Sequence, residues 1–262
     1  MPPTRDISPS ALAAERAHHD ALYSGVDVAG ALPDHIIAPV DQPLWSRHVG
    51  DLAGKRVLEC GSGDGLWAVW LAKQGATVTA VELSPIGVEK TRARARVHGL
   101  HDRVTAVCGD CCRLETFVDP GSIDLVFGSN VLHHLPPVDF GRSVRAVLRD
   151  GGRALFLENS AANPVYRLGR RLCNRESAMG SPLTRRDVEL FVEQVGRGTS
   201  LHPHFGLFGF MKAHVFRGSS LFATIVDAVD RAIDAVPGAR RWSAHMWVFA
   251  EKPARMHDAS GR

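Results

Sequence analysis

The stretch VLECGSGDG, residues 57–65, decides how the rest of the chain is read. A short apolar run ends in an acid, Glu59, and passes into Gly61, Gly63 and Gly65 with a second acid, Asp64, among them. Glycines directly after a strand let the backbone approach a ligand closely, and such turns often cradle a phosphate. The dinucleotide fingerprint is G-x-G-x-x-G, whereas here the third glycine arrives one residue early, and the two acids would repel a diphosphate. The spacing argues against a dinucleotide, and the acids point to a ligand that carries positive charge.

Working outward, RVLEC (56–60) predicts a strand, LWAVWLAKQ (66–74) a helix closed by Gly75, and TVTAVEL (77–83) a second strand by its β-branched alternation. Ser84-Pro85 opens another helix that Gly99 ends. RVTAVCGD (103–110), SIDLVFGSN (122–130) and RALFLEN (153–159) are the third, fourth and fifth strands. Phe140, Val144, Val147 and Leu148 stand at helical spacing before the fifth. This alternation predicts an α/β fold, doubly wound, with a parallel sheet covered on both faces.

Upstream, Ser8-Pro9 starts a helix reaching about Tyr23, and residues 26–43, broken by Gly and Pro, read as loop or lid. After Asn159 the rhythm changes: residues 160–200 look helical and rich in Arg, and LHPHFGLFGF (201–210) offers a sixth strand or a loop. Phe222, Ile225, Val226, Val229 and Ile233 form one helical stripe, for which core packing is the favoured reading, and HMWVFAEKP supplies a last strand. The expected organisation is one domain: a helical lid over 1–50, a ligand-binding core over 51–160, a pocket-forming insertion with the C-terminal strands over 161–254, and a tail over 255–262.

Ligands of open parallel sheets bind at the carboxyl ends of the strands. Glu59 ends the first predicted strand. Glu82 ends the second, where an acid can accept both hydroxyls of a ribose. Asp110 ends the third, where a carboxylate can take an adenine amino group while the amide of Cys111 faces a ring nitrogen. Three acids at three successive strand ends are hard to obtain by chance.

With those residues in place, the chain resembles the class I S-adenosylmethionine-dependent methyltransferases from about Lys55 to Asn159, through ECGSGDG, AVEL, CGD, FGSNVLHHLPP and GGRALFLEN. The resemblance implies a mostly parallel, seven-stranded sheet with an antiparallel last strand, and S-adenosylmethionine as cofactor. It implies cofactor-binding roles for Glu59, Gly61, Ser62, Gly63, Glu82, Leu83, Asp110, Cys111 and Asn130. Cys60 and Cys111 stand where small or apolar residues are usual, which leaves backbone contacts undisturbed.

ENSAANPVYRLGRR (158–171) looks like a stretch of a bacterial small-molecule methyltransferase subgroup in which a helix after the fifth strand roofs the acceptor pocket. Arg167, Arg170 and Arg171 would there hold an anionic acceptor; a solvated basic face is the plainer alternative. Asn163-Pro164-Val165-Tyr166 is not the N-P-P-Y signature of amino-methylating nucleic-acid enzymes, which follows the fourth strand and has a second proline.

The sulfonium already activates the methyl group, so the protein aligns a nucleophile and takes its proton if it has one. Candidate bases are His133, His134 and Glu158, and neighbouring His133 and His134 cannot both face one pocket on a helix. His18, His19 and Tyr23 could close over the site, with His19 and Tyr23 as acceptor-binding candidates; His202 and His204 are weaker ones among thirteen histidines. The expected function is methyl transfer to a small molecule in specialised metabolism, with oxygen favoured over carbon or nitrogen. Competing readings are a nicotinamide oxidoreductase, opposed by the glycine spacing and Glu59, and a catalytically silent binding protein of the same fold.

Composition fits a soluble protein: 262 residues, 45% hydrophobic and 23% charged. The apolar runs are too short for a membrane span, and MPPTRDISPS lacks the core of a signal peptide, so a cytoplasmic location is expected. A net charge of +3 is too mild to argue for nucleic acid, and Arg92, Arg94 and Arg96 read as a solvated helix face. A homodimer is left open. The five cysteines, Cys60, Cys108, Cys111, Cys112 and Cys173, make a poor disulfide framework. CGDC (108–111) lacks the further ligands or the thioredoxin-like setting that zinc or redox chemistry needs, so no metal is expected.

Overall fold

Val, Ala and Thr alternate through Thr77–Glu82 and Val104–Cys108, and both segments pair in register as parallel strands of one sheet. The computed structural model describes residues 8–32, 36–37, 41–164, 167–168, 181–202 and 220–254. In chain order these form α1 (Pro9–Ser24), α2 (Gln42–His48), β1 (Arg56–Cys60), α3 (Leu66–Lys73), β2 (Thr77–Glu82), α4 (Pro85–Val97), β3 (Val104–Cys108), β4 (Ile123–Ser129), α5 (Pro137–Val147) and β5 (Leu148–Asn159). Then come α6 (Arg185–Val195), β6 (Arg197–Leu201), α7 (Ser220–Asp234) and β7 (His245–Glu251).

The seven strands lie in the order β3-β2-β1-β4-β5-β7-β6. All pairs from β3 to β5 are parallel, and β7 runs antiparallel between β5 and β6. Connections leave β1 in one direction and β4 in the other, so the crevice between their carboxyl ends is the switch point where such sheets bind ligands. The glycine turn sits on it.

Strand parity separates the two cores. Leu58, Val126, Ala154, Phe156 and Val248 pack on one face with Phe140, Val144, Val188 and Phe191 of α5 and α6. Val57, Leu125, Phe127, Leu155 and Trp247 pack on the other with Val69, Trp70 and Val88 of α3 and α4. One-residue alternation along each strand thus serves both layers, which is what burial on both faces requires.

Four expectations change. Residues 42–48, partly within the segment read as loop or lid, form α2, which buries Trp45 against Trp70, Phe127 and Trp247 with ring centroids 5.6, 5.8 and 6.2 Å apart. Strand β5 starts five residues early, and its pairing with β4 shifts register between Ile123 and Leu125. The sixth strand is RGTSL (197–201), an exposed edge segment without the apolar alternation that betrays a strand, and of the stretch read as a strand or a loop over 201–210, residues 203–210 lie outside the described residues. The stripe on α7 is a real helix, yet Ile225 and Val229 are exposed, because periodicity marks a common face without saying what covers it. Among the described residues no helix is long and apolar enough to cross a membrane.

Candidate functional site

The turn after β1 needs glycine at its first and third glycine positions. Gly61 has φ +66°, and a Cβ there would come within 2.7 Å of Val131; Gly65 has φ +81°, and a Cβ would meet the Thr91 backbone at 2.6 Å. The Gly61 amide donates to Val81 O at 2.8 Å, and Thr91 Oγ1 bonds both Gly63 O and Ser62 Oγ. Arg94 completes the fastening, donating from Nη2 to Asp64 Oδ2 at 2.8 Å and from Nε to Asp64 O at 2.9 Å. Two readings from sequence are corrected here. Arg94 is buried rather than part of a solvated face, and Asp64 has its charge matched by Arg94 rather than left for a ligand.

That leaves two buried acids at the crevice. Glu59 is 1% exposed, and its Oε2 has no hydrogen-bond partner. Burial pushes its carboxyl well above the usual range, and the charges of Glu82 and Asp64 push the same way. A cationic group placed there would relieve all three effects. Glu82 accepts from the Gly63 amide at 2.8 Å through Oε2 and from the Ser84 amide at 2.9 Å through Oε1, so one carboxyl ties the glycine turn to the start of α4. Each oxygen keeps a lone pair for a ligand hydroxyl. Leu83, half-buried, follows it.

At the end of β3, Asp110 accepts from the Cys112 amide at 2.8 Å and caps a 3₁₀ turn over Cys111–Thr116. Asn130 follows β4 with φ +55°, the one non-glycine residue with positive φ among the described residues. Asn tolerates that region best, and its Oδ1 accepts from Asn159 Nδ2 at 2.8 Å. Strain of this kind collects at ligand sites. A buried carboxyl without a partner, a glycine cradle and acids after β1, β2 and β3 therefore fit a ligand with an amine, a ribose and an adenine.

His133 and His134 diverge on a 3₁₀ turn, Leu132–His134. Glu158, fully buried, accepts from the amides of Val131 and Leu132 at 2.9 and 2.7 Å, and His133 Nδ1 donates to its other oxygen at 2.6 Å. His133 and Glu158 thus pair with each other, and through the Val131 and Leu132 amides Glu158 braces the loop after β4. His134 turns outward to α1, with its Nδ1 2.6 Å from Glu15 Oε1, while burial lowers its affinity for a proton. Glu15 was missed from sequence, although Glu15, His19 and Tyr23 repeat every four residues on one face of α1.

Helix α1 lies over the turn. Ser8 caps it, accepting from the Ala11 amide, and Pro9 begins it. A Cβ on Gly63 would sit 2.9 Å from the Tyr23 hydroxyl, so this ring covers the cradle directly. Burial and then the nearby Glu82, Asp64 and Glu59 push the Tyr23 phenol above its usual range. His19 stacks on Tyr23 at 5.7 Å, and the Glu15 bond raises its pKa against the effect of burial.

Arg167 is exposed, in a helical turn where its amide donates to Asn163 O at 3.2 Å. Arg170, Arg171, Cys173 and His204 lie outside the described residues. His202 is half-buried, and burial lowers its pKa. His18 packs edge-on against His19 at 5.5 Å. Cys108 is exposed and bonds Leu83 O, whereas Cys111 is buried against Cys60. Burial raises the thiols of Cys60 and Cys112, which opposes thiolate chemistry at either.

Comparison with known proteins agrees with this geometry. Residues 57–152 match the family described as a methyltransferase domain. The chain is 34% identical over 127 residues to the ubiquinone biosynthesis O-methyltransferase of Idiomarina loihiensis, covering 47% of this chain and 50% of that protein. It is 33% identical over 119 residues to the ribosomal RNA small subunit methyltransferase C of Chromohalobacter salexigens, covering 43% of this chain and 34% of that one. The matches therefore span half or less of these relatives' length. Among solved structures, geranyl diphosphate C-methyltransferase from Streptomyces coelicolor A3(2), in complex with Mg2+, geranyl-S-thiolodiphosphate and S-adenosylhomocysteine, has a TM-score of 0.62 at 15% identity, covering 95% of this chain and 100% of that one. The matched core, residues 57–152, spans the glycine turn and the strand-end acids, and this part of the chain is a methyltransferase domain similar to those of the class I S-adenosylmethionine-dependent enzymes.

Proposed function

We propose that this protein transfers the methyl group of S-adenosylmethionine to a small acceptor held between α1 and the segments that follow β4 and β5. The observation that carries the reading is Glu59: a buried carboxyl with an oxygen lacking a partner, at the switch point, beneath Tyr23. Glu59 would draw the cofactor's positive end, Glu82 its ribose hydroxyls, and Asp110 with the Cys111 amide its adenine. Gly61, Ser62, Gly63 and Asn130 shape the cradle. In the transfer, an acceptor lone pair forms the new bond to the methyl carbon, the carbon–sulfur bond breaks, and its electron pair leaves sulfur neutral as a thioether. Any proton on the acceptor must depart as well, and alignment contributes most of the acceleration.

Oxygen is the favoured acceptor atom. The relatives named for ubiquinone biosynthesis O-methylation support it. Arg167, with Arg170 and Arg171, would add preference for an anionic acceptor. A role in small-molecule biosynthesis follows the same support. The ribosomal RNA relative shares the cofactor core and only a third of its own length, so its acceptor does not transfer.

The test is a screen with labelled S-adenosylmethionine against phenols, carboxylic acids and prenyl diphosphates, quantifying S-adenosylhomocysteine and methylated product. One product per cofactor consumed, on an oxygen of an anionic or phenolic acceptor, is expected. Failure of S-adenosylhomocysteine to bind in calorimetry would sink the reading altogether.

A further inference from the structure

Glu15, His19 and His134 each offer one ligand atom, and these atoms all lie within 4.8 Å of one another. Among the described residues this is the one group of three His, Cys, Asp or Glu side chains with such geometry. Local structure dictates the first two: residues four apart on α1 share a face, so Glu15 Oε1 stands 3.4 Å from His19 Nε2. Topology brings the third, because the turn after β4 reaches the same crevice that α1 covers, and His134 Nδ1 stands 2.6 Å from the same oxygen.

The spacing suits one ion. Bonds of about 2.0–2.1 Å to imidazole nitrogen and carboxylate oxygen, at tetrahedral angles, separate the ligand atoms by about 3.4 Å. The Glu15–His19 separation already matches, and the Glu15–His134 contact would open by less than about 1 Å. Orientation is fixed by packing: His134 lies against His133 at 4.2 Å between ring centroids, and Glu158 holds His133. His19 is stacked on Tyr23 and meets His134 edge-on at 5.8 Å. Ligands held by neighbours in this way are the mark of an arranged site. Asp20 and Glu82 add negative charge near His19.

We propose that Glu15, His19 and His134 form a binding site for a divalent transition-metal ion that fastens α1 to the turn after β4. Two imidazoles and one carboxylate select zinc, cobalt or ferrous iron over magnesium and calcium, which prefer all-oxygen sets. Three protein ligands leave at least one position open, and beside the cofactor crevice that position takes an oxygen of the acceptor. This last point rests on the proposed methyl transfer; binding of the ion does not.

The experiment uses the tag-free full chain, stripped with chelator and titrated with Co2+ by visible absorption and with Zn2+ by calorimetry, with Mg2+ alongside. One equivalent of Co2+ or Zn2+ and no measurable Mg2+ binding are expected. Glu15→Gln and His134→Asn should each weaken the ion by about 100-fold or more, while S-adenosylhomocysteine affinity stays within about threefold. His101→Ala, at an exposed histidine, should bind the ion like the wild type. No stoichiometric binding by the wild type, or undiminished binding by Glu15→Gln, overturns the site. Stoichiometric binding with no acceptor methylated would leave the metal site standing and remove only the catalytic reading.

Discussion

Truncating Glu158 to alanine should cost about 3–5 kcal/mol of stability, because it strips the acceptor from three donors at once. The amides of Val131 and Leu132 and Nδ1 of His133 all converge on this carboxyl, which is closed to solvent. Each orphaned donor costs about 1–3 kcal/mol, and a domain of this kind has only about 5–15 kcal/mol in total. Glu158→Gln keeps an acceptor for the two amides and shifts the change to the His133 contact, so a loss of about 1–2 kcal/mol is expected. Urea denaturation of the two variants gives the comparison. An alanine variant as stable as the wild type would mean that Glu158 does not brace the loop.

Glu82→Ala should lower S-adenosylhomocysteine affinity by about 100-fold, the equivalent of two charge-assisted hydrogen bonds to ribose at about 1.5 kcal/mol each. The residue has a second task in the free protein, where it joins the Gly63 and Ser84 amides. The two roles separate in measurement. Calorimetric titration at a temperature where the variant remains folded reads the ligand contribution, and its thermal midpoint reads the amide contribution. Unchanged affinity beside a lowered midpoint would assign Glu82 to the scaffold alone.

The strands up to β5 were legible because Gly and Pro punctuate short β-branched runs, and their carboxyl-terminal acids were legible because parallel order puts them in one crevice. Pairings between distant segments were not. Arg94 reads as one of three surface arginines until Asp64, thirty residues earlier, is seen beside it. Glu158 carried a usable signal: it shares strand parity with Ala154 and Phe156, which face the core, so an inward carboxyl needing partners follows from alternation alone. Glu15 was one helical turn from His19 and went unnoticed because a lone acid on a helix is ordinarily solvated. The edge strand β6 and the exposed face of α7 lack any pattern that distinguishes them before the fold is known.

Helix α1 contains no fully buried residue, and beside the Tyr23 ring its fastenings are polar: Asp20 with Ser84 and Glu15 with His134, with Lys90 on Val26 O just past its end. Lifting such a segment exposes far less hydrocarbon than melting the sheet, so the step carries a much smaller heat-capacity change. Its equilibrium should therefore drift only slightly between cold and warm conditions, and it should respond to ionic strength instead. Hydrogen exchange across α1 at several temperatures and salt concentrations would register this: amides of Ala13 to Leu22 exchanging by a shallow, salt-sensitive opening while those of β1 and β4 wait for the whole domain. Entry and exit of a cofactor beneath Tyr23 would then be paced by electrolyte more than by heat.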